Sequence, residues 1–444
     1  MDVVVGPATP WGRGALAVVR LSGEGLEQVL GQILAPMGES ALDAGRPRRV
    51  LLRDAEGTFD DGVVVVGRAP RTYTGEDVAE ISCHGNPLIV ERLVCAAIDA
   101  GARLARPGEF TRRAVVHGKM DLIGAEAVLH ATEASSSRGL GVARAGMDGR
   151  IGSFVAGVRQ ELVEAVAELE ARLDHPDDEL ALVDDDTLVS TLVAVGRRCD
   201  EVASTHAAGR VLVQGARVAL VGPVNAGKSS LFNALLGRRR ALVHHRPGTT
   251  RDVLEVATVV DGLSITLLDT AGERRSTDPV EAAGLALSRE LIGEADLLVV
   301  VLRAGPGGPC AVGRRILART AAQPRVVVYN GVDLPGIRPA EPGWIETVAV
   351  DGRGVQELGS RIRAAALGEE PATARLVIAS ARQRDLLQVV ARAVDEACEA
   401  LPLAGVAVSA DALAGAIEAI DALTGADTRE EILDALFARF CIGK

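Results

Sequence analysis

The spacing of apolar residues changes along the chain and divides it into regions of different predicted structure. Residues 16–21, 62–66 and 79–81 show the short apolar or alternating pattern that predicts β-strands, and residues 88–100 show a helical pattern. Turn residues separate these segments. We therefore predict a mixed α/β domain over residues 1–118.

Helical periodicity dominates two later regions. The first, residues 119–213, carries one apolar face made by Val155, Val158, Leu162, Val166, Leu169 and Leu173. The second, residues 372–444, carries Leu386, Val390, Ala393, Ala397, Leu401, Leu413, Ile417, Ile420 and Leu423. The acidic stretch 174–186 is predicted to be a solvated loop. Because amphipathic helices must bury their apolar faces, we predict that the two regions form one helical domain, with an α/β domain of residues 214–371 inserted into it.

The inserted segment opens with a motif that predicts a phosphate-binding loop. The apolar run 217–221 leads into residues 222–229, which read GPVNAGKS and match GxxxxGKS, and a helical pattern follows. In such a loop, backbone N–H groups and the helix N-terminus bind a polyphosphate, the lysine reaches its β and γ oxygens, and the serine ligates Mg²⁺. The motif predicts that a nucleoside triphosphate is bound by Asn225, Ala226, Gly227, Lys228, Ser229 and Ser230.

Two further segments lie in the order that a nucleotide-dependent switch requires. Thr250, in the sequence GTTRD of residues 248–252, is predicted to complete the Mg²⁺ site and to sense the γ-phosphate. A strand pattern then ends at Asp269, an acidic partner for Mg²⁺. The turn residues Thr270, Ala271 and Gly272 follow it directly.

The segment expected to recognise the base departs from the usual pattern. Residues 330–333 read NGVD, so that Asp333 keeps the acceptor of an N/TKxD loop, while Gly331 stands where a lysine would cover the ring. The second base loop is expected at residues 348–351. Asn330 and Asp333 still predict GTP, because a buried acceptor left unpaired by another base would penalise that base.

Composition and charge narrow the possible partners. No run of 18 apolar residues occurs, which predicts no membrane span, and no secretory signal is readable, so the cytoplasm is the expected location. A net charge of −12 disfavours a protein that coats nucleic acid, so any RNA contact must be local. Three arginine clusters could make such a contact, although solvated charge is the simpler interpretation of each: Arg46 with Arg48 and Arg49, Arg112 with Arg113, and Arg238 to Arg240.

The cysteines predict neither a disulfide framework nor a zinc site. The six are scattered without CxxC spacing. Cys83 and His84 could be taken for a nucleophile and its base, but adjacent strand residues point to opposite faces, so a structural role is preferred. The role of Cys441 stays open.

Nearly the whole chain resembles the MnmE (TrmE) family of tRNA-modification GTPases. Apart from the nucleotide motifs, the resemblance is carried by residues 8–10 (ATP), 12–14 (GRG), 19–23 (VRLSG), 73–85 (YTGEDVAEISCHG), 106–114 (RPGEFTRRA), 119–122 (KMDL), 125–127 (AEA) and 440–444 (FCIGK). It implies a multidomain fold, α/β and all-α. The implied parts are an N-terminal folate-binding domain that dimerises, a discontinuous helical domain and an inserted Ras-like P-loop G domain.

The resemblance implies a folate site in the N-terminal domain. A one-carbon folate such as 5-formyltetrahydrofolate is expected at Arg20, Glu80, Lys119 and Lys444. Carboxylate and cationic side chains suit its pterin edge and its anionic tail.

It also implies a hydrolytic mechanism in which K⁺ replaces an arginine finger. Asn225 and the loop of His244, His245, Arg246, Pro247, Gly248 and Thr249 are expected to surround the cation, with His244, Arg246 and Thr249 among its neighbours. The loop reads HHRPGTT where the family usually shows TDIAGTT, and Arg246 adds a positive charge there. Glu281 matches the family's water-orienting acid and is expected to act with Lys228 and Thr250, while Glu273 is the rival.

The implied function is GTP hydrolysis that drives modification of the tRNA wobble uridine. The expected partners are a second copy of the chain and the flavoprotein MnmG (GidA), in a heterotetramer, with tRNA as substrate. Two other classes stay open: a ribosome-assembly GTPase of the Era type, and a nucleotide-binding scaffold with weak hydrolysis. Bound folate would argue against the first, and measured turnover against the second.

Overall fold

The computed structural model describes residues 2–36, 44–174, 183–237, 254–269, 293, 295–368, 376–425 and 430–443. The chain forms two compact units, one of residues 1–129 and 421–444 and the other of residues 130–420. Within the described part, no helix combines the length and the apolarity needed to cross a bilayer. The four-part division at residues 118, 213 and 371 stays a prediction.

A seven-stranded sheet forms the centre of the first unit. Its strands are β1 (Val4–Pro7), β2 (Leu16–Ser22), β3 (Leu34–Pro36), β4 (Arg48–Asp54), β5 (Gly57–Gly67), β6 (Val78–His84) and β7 (Arg103–Leu104). Their order is β3-β4-β5-β6-β2-β1-β7, and neighbours are antiparallel except for the parallel pair β1 and β7. The three strands predicted from the apolar pattern are confirmed as β2, β5 and β6.

The two faces of this sheet differ in chemistry because side chains alternate along each strand. Ala17, Val19 and Leu21 of β2 are buried in a core with helices α1 (Leu26–Ile33) and α2 (Pro87–Asp99). Arg20 lies between them in sequence and therefore points to the opposite face. The helix predicted at 88–100 is confirmed as α2, and Asn86 caps it by accepting a hydrogen bond from the Leu88 N–H.

Residues from both ends of the chain complete the first unit. Helix α3 (Glu109–Val116) follows the sheet, α4 (Leu122–Glu133) begins in this unit, and α14 (Glu430–Phe437) returns to it. Leu122, Leu129, Phe437 and Phe440 share one core, with the two phenylalanine rings 5.2 Å apart. The described residues of the C-terminal segment thus pack against α4 within the first unit.

A buried carboxylate should make the first unit sensitive to acid. Burial raises the pKa of Glu109, but hydrogen bonds from Arg103 and from the Arg106 N–H outweigh it and hold the pKa at about 2. Because this pKa lies below that of the unfolded chain, about 4.3, the stabilisation is present above pH 4.3 and is lost as the pH falls towards 2, an effect of roughly 3 kcal/mol. We therefore expect Glu109→Gln to destabilise the unit at pH 7, measured by urea unfolding.

The pH dependence distinguishes this charge effect from a packing defect. The difference in unfolding free energy between wild type and Glu109→Gln should shrink as the pH is lowered from 7 to 3. Glu24→Gln, a change at an exposed glutamate, serves as the control and should have little effect at either pH. A difference that stays constant with pH would contradict the prediction.

Helices and a second sheet make up the other unit. The helices of its helical part are α5 (Ser137–Met147), α6 (Arg150–Asp174), α7 (Asp185–Ser204), α8 (His206–Gln214), α12 (Ala381–Leu403) and α13 (Val406–Thr424), of which the last ends in the first unit. The long helices α7 and α12 pack closely at Gly196, where an added Cβ would lie 3.4 Å from Val394.

The predicted apolar stripe on α6 is largely confirmed. Val155, Val158, Leu162 and Leu169 are buried, and Val166 is half-buried. Leu173 is exposed, because it lies in the last turn, where the helix leaves the core. Both ends of the predicted acidic loop of residues 174–186 are helical, since α6 includes Asp174 and α7 starts at Asp185, capped by Asp184, which accepts from the Thr187 N–H. Residues 175–182 lie outside the described part of the chain.

The second sheet has the topology of an open, mostly parallel α/β fold. Its strands are β8 (Ala216–Val221), β9 (Leu254–Val260), β10 (Leu263–Asp269), β11 (Leu297–Arg303), β12 (Arg325–Asn330) and β13 (Ile345–Thr347). The order is β13-β12-β11-β8-β10-β9, and β9 is antiparallel to β10. Helices α9 (Lys228–Leu236), α10 (Ala311–Arg319) and α11 (Val355–Leu367) accompany it. The strand order turns at β8, whose carboxyl end is therefore the expected ligand edge.

Candidate functional site

The loop between β8 and α9 has the geometry of a phosphate-binding loop. Asn225 and Gly227 both have left-handed backbones, with φ of 61° and 91°, and α9 begins directly after Gly227. Gly222 lies so close to β11 that an added Cβ would stand 2.2 Å from the Val301 carbonyl oxygen. The loop thus turns sharply at the edge where the strand order reverses, and it leads into the N-terminus of α9.

Lys228 is held in place by the loop itself. Its Nζ donates to the carbonyl oxygens of Gly222 and Pro223, at 2.8 and 3.0 Å. A lysine that lies across the start of the loop has its charge beside the position that a bound polyphosphate would take. The arrangement fits the role predicted for Lys228.

Asn330 connects the loop to the neighbouring strands. Its side chain is buried, its Nδ2 donates to the Ala226 carbonyl at 3.1 Å, and its Oδ1 accepts from Thr347 Oγ1 and from the Ala349 N–H, both at 3.1 Å. An added Cβ on Gly227 would lie 2.1 Å from Nδ2, so the close approach requires glycine. One amide therefore fixes three segments: the phosphate loop, the end of β12 and the segment after β13.

Most of the remaining described residues of the predicted nucleotide site lie at the surface. Asn225, Ser229 and Ser230 are exposed, Ala226 is buried, and Asp333 is exposed in the turn after β12. The Ser229 hydroxyl is thus accessible to a metal ion on a bound phosphate. Asp333 follows Asn330 closely, so its carboxylate can face a base held at this edge.

Several predicted residues lie outside the described part of the chain: His244, His245, Arg246, Pro247, Gly248, Thr249, Thr250, Thr270, Ala271, Gly272, Glu273, Glu281, Lys444 and Arg238 to Arg240. The backbone of Asp269 is described as the last residue of β10, where it pairs with Leu220 of β8. The roles assigned to these residues stay predictions.

A second polar cluster lies on the open face of the sheet in the first unit. Arg20 Nε and Nη2 donate to Oε1 of Glu80 at 3.0 and 2.7 Å, and Nη1 donates to the Gly443 carbonyl at 3.2 Å. The guanidinium carbon lies 5.5 Å from the ring centre of Tyr73 and 5.6 Å from that of Phe110. Arg20 is thus held on every side, because its charge is paired and its faces are covered.

This cluster brings together some of the residues predicted to bind folate. Arg20 and Glu80 contact each other, and both Arg20 bonds go to one oxygen of Glu80, which leaves Oε2 as an acceptor. Lys119 is exposed and donates to the Pro70 carbonyl at 2.9 Å, on the loop that carries Tyr73. The C-terminal tail closes the cluster, since an added Cβ on Gly443 would lie 2.0 Å from the Pro7 carbonyl oxygen.

Cys83 and His84 lie on opposite faces of β6, as predicted. Cys83 is buried on the helix-covered face, and burial raises the pKa of its thiol to about 11, which makes it a poor nucleophile. His84 points to the other face, and its hydrogen bond with Asp60 raises the pKa of its imidazole. Cys441 is exposed, and its carbonyl accepts from the Gly108 N–H at 3.3 Å.

Sequence reasoning missed the residues that support each site. It assigned no role to Thr347 as a partner of Asn330, and none to Tyr73 or Phe110 beneath Arg20. One compositional signal was available, because the chain has only two tyrosines. Both are structural anchors: Tyr73 OH bonds to Thr111 Oγ1 at 2.9 Å, and Tyr329 OH accepts from the Gly305 N–H at 3.1 Å.

Comparison with known proteins covers the whole chain. The family profile described as "GTP-binding protein TrmE N-terminus" matches residues 3–119, and the profile described as "MnmE helical domain" matches residues 122–441. A "tRNA modification GTPase MnmE" from Synechococcus sp. (strain CC9605) is 39% identical over 99% of this chain and 98% of its own length. Proteins with the same name from Roseiflexus castenholzii and Nitratidesulfovibrio vulgaris (strain DP4) are 38% and 39% identical, each over 100% of this chain and 99% of its own length.

Among solved structures, the G domain of the T. maritima FeoB iron transporter covers 34% of this chain and 98% of its own, at 25% identity and a TM-score of 0.27. At that TM-score the likeness adds nothing to the sequence matches. The relatives and both profiles agree over both compact units.

Proposed function

The chain belongs to the MnmE (TrmE) family of tRNA-modification GTPases, and we propose that its GTP hydrolysis is activated by a monovalent cation and coupled to modification of the tRNA wobble uridine. A 5-carboxymethylaminomethyl-type modification is proposed, made together with the flavoprotein MnmG. The observation that carries the proposal is the full-length match of the chain to a family of GTPases, together with its complete phosphate loop. A protein that acts on tRNA is proposed to work in the cytoplasm.

The phosphate loop supplies the binding part of the mechanism. Backbone N–H groups of residues 225–229 and the N-terminus of α9 are proposed to hold the phosphates of GTP. Lys228, already positioned by Gly222 and Pro223, would turn its charge to the β and γ oxygens. Asn330 keeps the loop rigid against β12, so that the phosphates and the base meet a fixed surface.

Two cations are proposed at this edge. Ser229 is exposed at the first turn of α9 and suits Mg²⁺, with Thr250 and Asp269 as proposed partners, and Asn225 presents an exposed amide oxygen suited to K⁺. Both ions supply positive charge that stabilises the negative charge developing between the β- and γ-phosphates. Glu281 is proposed to orient the attacking water.

The polar cluster around Arg20 is proposed to bind a one-carbon folate. Its donor set fits this ligand, because Glu80 keeps one carboxylate oxygen as an acceptor for pterin N–H groups and Lys119 is an exposed cation for the anionic tail. The resemblance to the MnmE family also supports two further proposals: that the chain forms a homodimer, and that it forms a heterotetramer with MnmG. Folate retained by the purified protein would favour this function over a ribosome-assembly role.

The cation requirement gives the direct test. We expect GTP turnover by the full-length protein to be at least about tenfold faster in KCl than in NaCl at equal ionic strength, since one fixed charge at the transferring phosphoryl group is worth that much or more. Turnover is measured by phosphate release in the presence of Mg²⁺. Equal rates in the two salts would refute cation activation, and no turnover in either would favour the scaffold alternative.

A further inference from the structure

An acidic protein that acts on tRNA needs a local basic surface. This inference rests on the proposed function, because it concerns how the same protein holds its RNA substrate. The net charge of −12 repels RNA as a whole, and long-range repulsion is screened only beyond about 8–10 Å at physiological salt. Phosphate contacts must therefore come from cations that are exposed and not already neutralised.

Ion pairs exclude two of the arginines that the sequence offers as RNA contacts, Arg49 and Arg113. Arg113 is buried and bonded to Glu76 and Asp2, so it cannot reach RNA. Arg49 pairs with Asp61 at 3.1 Å. Arg46 is exposed in the segment before β4, and it is not among the residues that line the concavity described next.

One concavity of the first unit is lined by several guanidinium groups. It has a volume of about 560 Å³, and three guanidinium groups (Arg103, Arg106, Arg112) and three carboxylates (Asp2, Glu109, Asp434) border it, with Phe437 beside them. This is within the range of roughly 300–1,000 Å³ that is typical of ligand sites. It lies at the start of α3, between the edge strand β7 and helix α14.

The charges in this concavity are unequally paired. Arg103 bonds to Asp2 and Glu109, and Arg112 Nε lies 3.4 Å from Asp434. The guanidinium of Arg106 is exposed and contacts no carboxylate among the described residues, although its backbone N–H donates to Glu109. An anionic ligand can therefore bind the guanidinium of Arg106 without breaking an ion pair.

The concavity adjoins the C-terminal tail. Gly108, two residues after Arg106, donates its N–H to the carbonyl of Cys441, and the tail continues to Gly443 beside Arg20. Phe437, which borders the concavity, also packs against Gly108. A phosphate bound to Arg106 would therefore lie near the tail that closes the Arg20 cluster.

We propose that this concavity is a phosphate subsite for the tRNA strand, with Arg106 as the residue that binds the phosphodiester and Arg112 as its neighbour. An arginine suits the role because its planar fork can donate two hydrogen bonds to one phosphate. Asp434 limits the site, since its carboxylate competes with the phosphate for Arg112 and repels it.

The test measures tRNA binding by the full-length protein as a function of KCl concentration, using fluorescence anisotropy of a labelled transcript. Arg106→Gln should weaken binding by about three- to tenfold at moderate salt and lower the slope of log K against log salt by about one. Arg106→Lys should keep most of the slope. Arg46→Gln, the matched removal of an exposed arginine in the same unit, should change neither quantity.

A second variant tests the same site in the opposite direction. Asp434→Asn removes the competing carboxylate and should tighten tRNA binding by about two- to fivefold, an effect that a folding defect would not produce. GTP turnover without RNA should be unchanged in all four variants, because none of these residues belongs to the nucleotide site. Weakening by Arg106→Gln together with tightening by Asp434→Asn supports the proposal.

Other outcomes overturn it in distinguishable ways. Binding that is indifferent to Arg106→Gln, or that responds only to Arg46→Gln, refutes the subsite and leaves the proposed function intact. A free mononucleotide or inorganic phosphate whose binding depends on Arg106 while tRNA binding does not would identify a small-anion site instead. Absence of tRNA binding by the wild-type protein at low salt would refute both the subsite and the tRNA step.

Discussion

Replacement of Lys228 by alanine is expected to lower kcat/KM for GTP by about two to three orders of magnitude, the usual loss when one preorganised electrostatic group is removed from a reacting centre. The reason lies in the geometry of the loop. Lys228 is held by two carbonyls at 2.8 and 3.0 Å, next to the phosphate position, so the substitution removes a fixed positive charge from that position. Phosphate release at saturating Mg²⁺ measures the effect.

The fold should tolerate this change, because Lys228 is only half-buried and lies outside the apolar core of the sheet. Arg46→Ala, the removal of an exposed cation in the other unit, is the control and should leave turnover unaltered. Circular dichroism should show the same melting curve for both variants. Turnover by Lys228→Ala within threefold of wild type would contradict the assignment of the loop.

Replacement of Asn330 by alanine is expected to weaken GDP binding by about ten- to a hundredfold. The change removes three hydrogen bonds and leaves the buried Ala226 carbonyl and the Ala349 N–H without their partner, and each such loss costs on the order of 1 kcal/mol or more. Part of this loss lowers the free energy of unfolding, and the rest weakens the binding of GDP. Isothermal titration calorimetry with GDP, combined with nucleotide release rates, measures it.

Two variants with smaller or equivalent effects test the explanation. Thr347→Val removes one of the three bonds and should weaken binding by less than Asn330→Ala. Gly227→Ala leaves Asn330 in place but puts a methyl group 2.1 Å from its Nδ2, at a φ of 91° that alanine rarely adopts, and should reproduce the Asn330→Ala phenotype. Full affinity in Gly227→Ala would show that the Asn330 bridge is not needed.

The elements that depend on local pattern were predictable from the sequence. The spacing of apolar residues predicts the strands β2, β5 and β6, the helix α2 and the apolar face of α6. The glycines of the phosphate loop predict its sharp turn. These features are predictable because the strand and helix periods appear in the order of apolar and polar residues that are close in sequence. For the same reason, the phosphate loop could be assigned its ligand before any tertiary contact was known.

Contacts between distant segments were not predictable. The NGVD motif around Asn330 predicts base recognition. Nothing near Asn330 in sequence indicates that its amide donates to the Ala226 carbonyl, 104 residues earlier. Arg112 and Arg113 looked alike as surface charges, yet Arg113 is buried among three carboxylates and Arg112 is not. Which of the two arginines is buried depends on the rotation of helix α3 relative to the neighbouring sheet. A single sequence does not determine that rotation.

The choice between the two basic residue types is a signal that could have been used more. Of the 48 lysines and arginines, only Lys119, Lys228 and Lys444 are lysine, and all three fall in segments assigned to ligands. The arginine guanidinium is bulky and planar, whereas the lysine ammonium is a compact charge on a flexible stem. A site that needs such a compact charge is a reason for the chain to have lysine there. In a chain with so few, each lysine marks a position worth testing.

The hydrogen bond from Arg20 to Gly443 joins residues 423 positions apart, and Leu122 packs with Phe437 and Phe440 in the same unit. During synthesis on a ribosome, the N-terminal sheet therefore emerges long before the segment that finishes it. A truncated product that had lost its last two dozen residues would retain the phosphate loop and the whole second sheet, while its Arg20 cluster stood open. The Arg20 cluster can therefore be completed only after the segment that contains Gly443 has been synthesised.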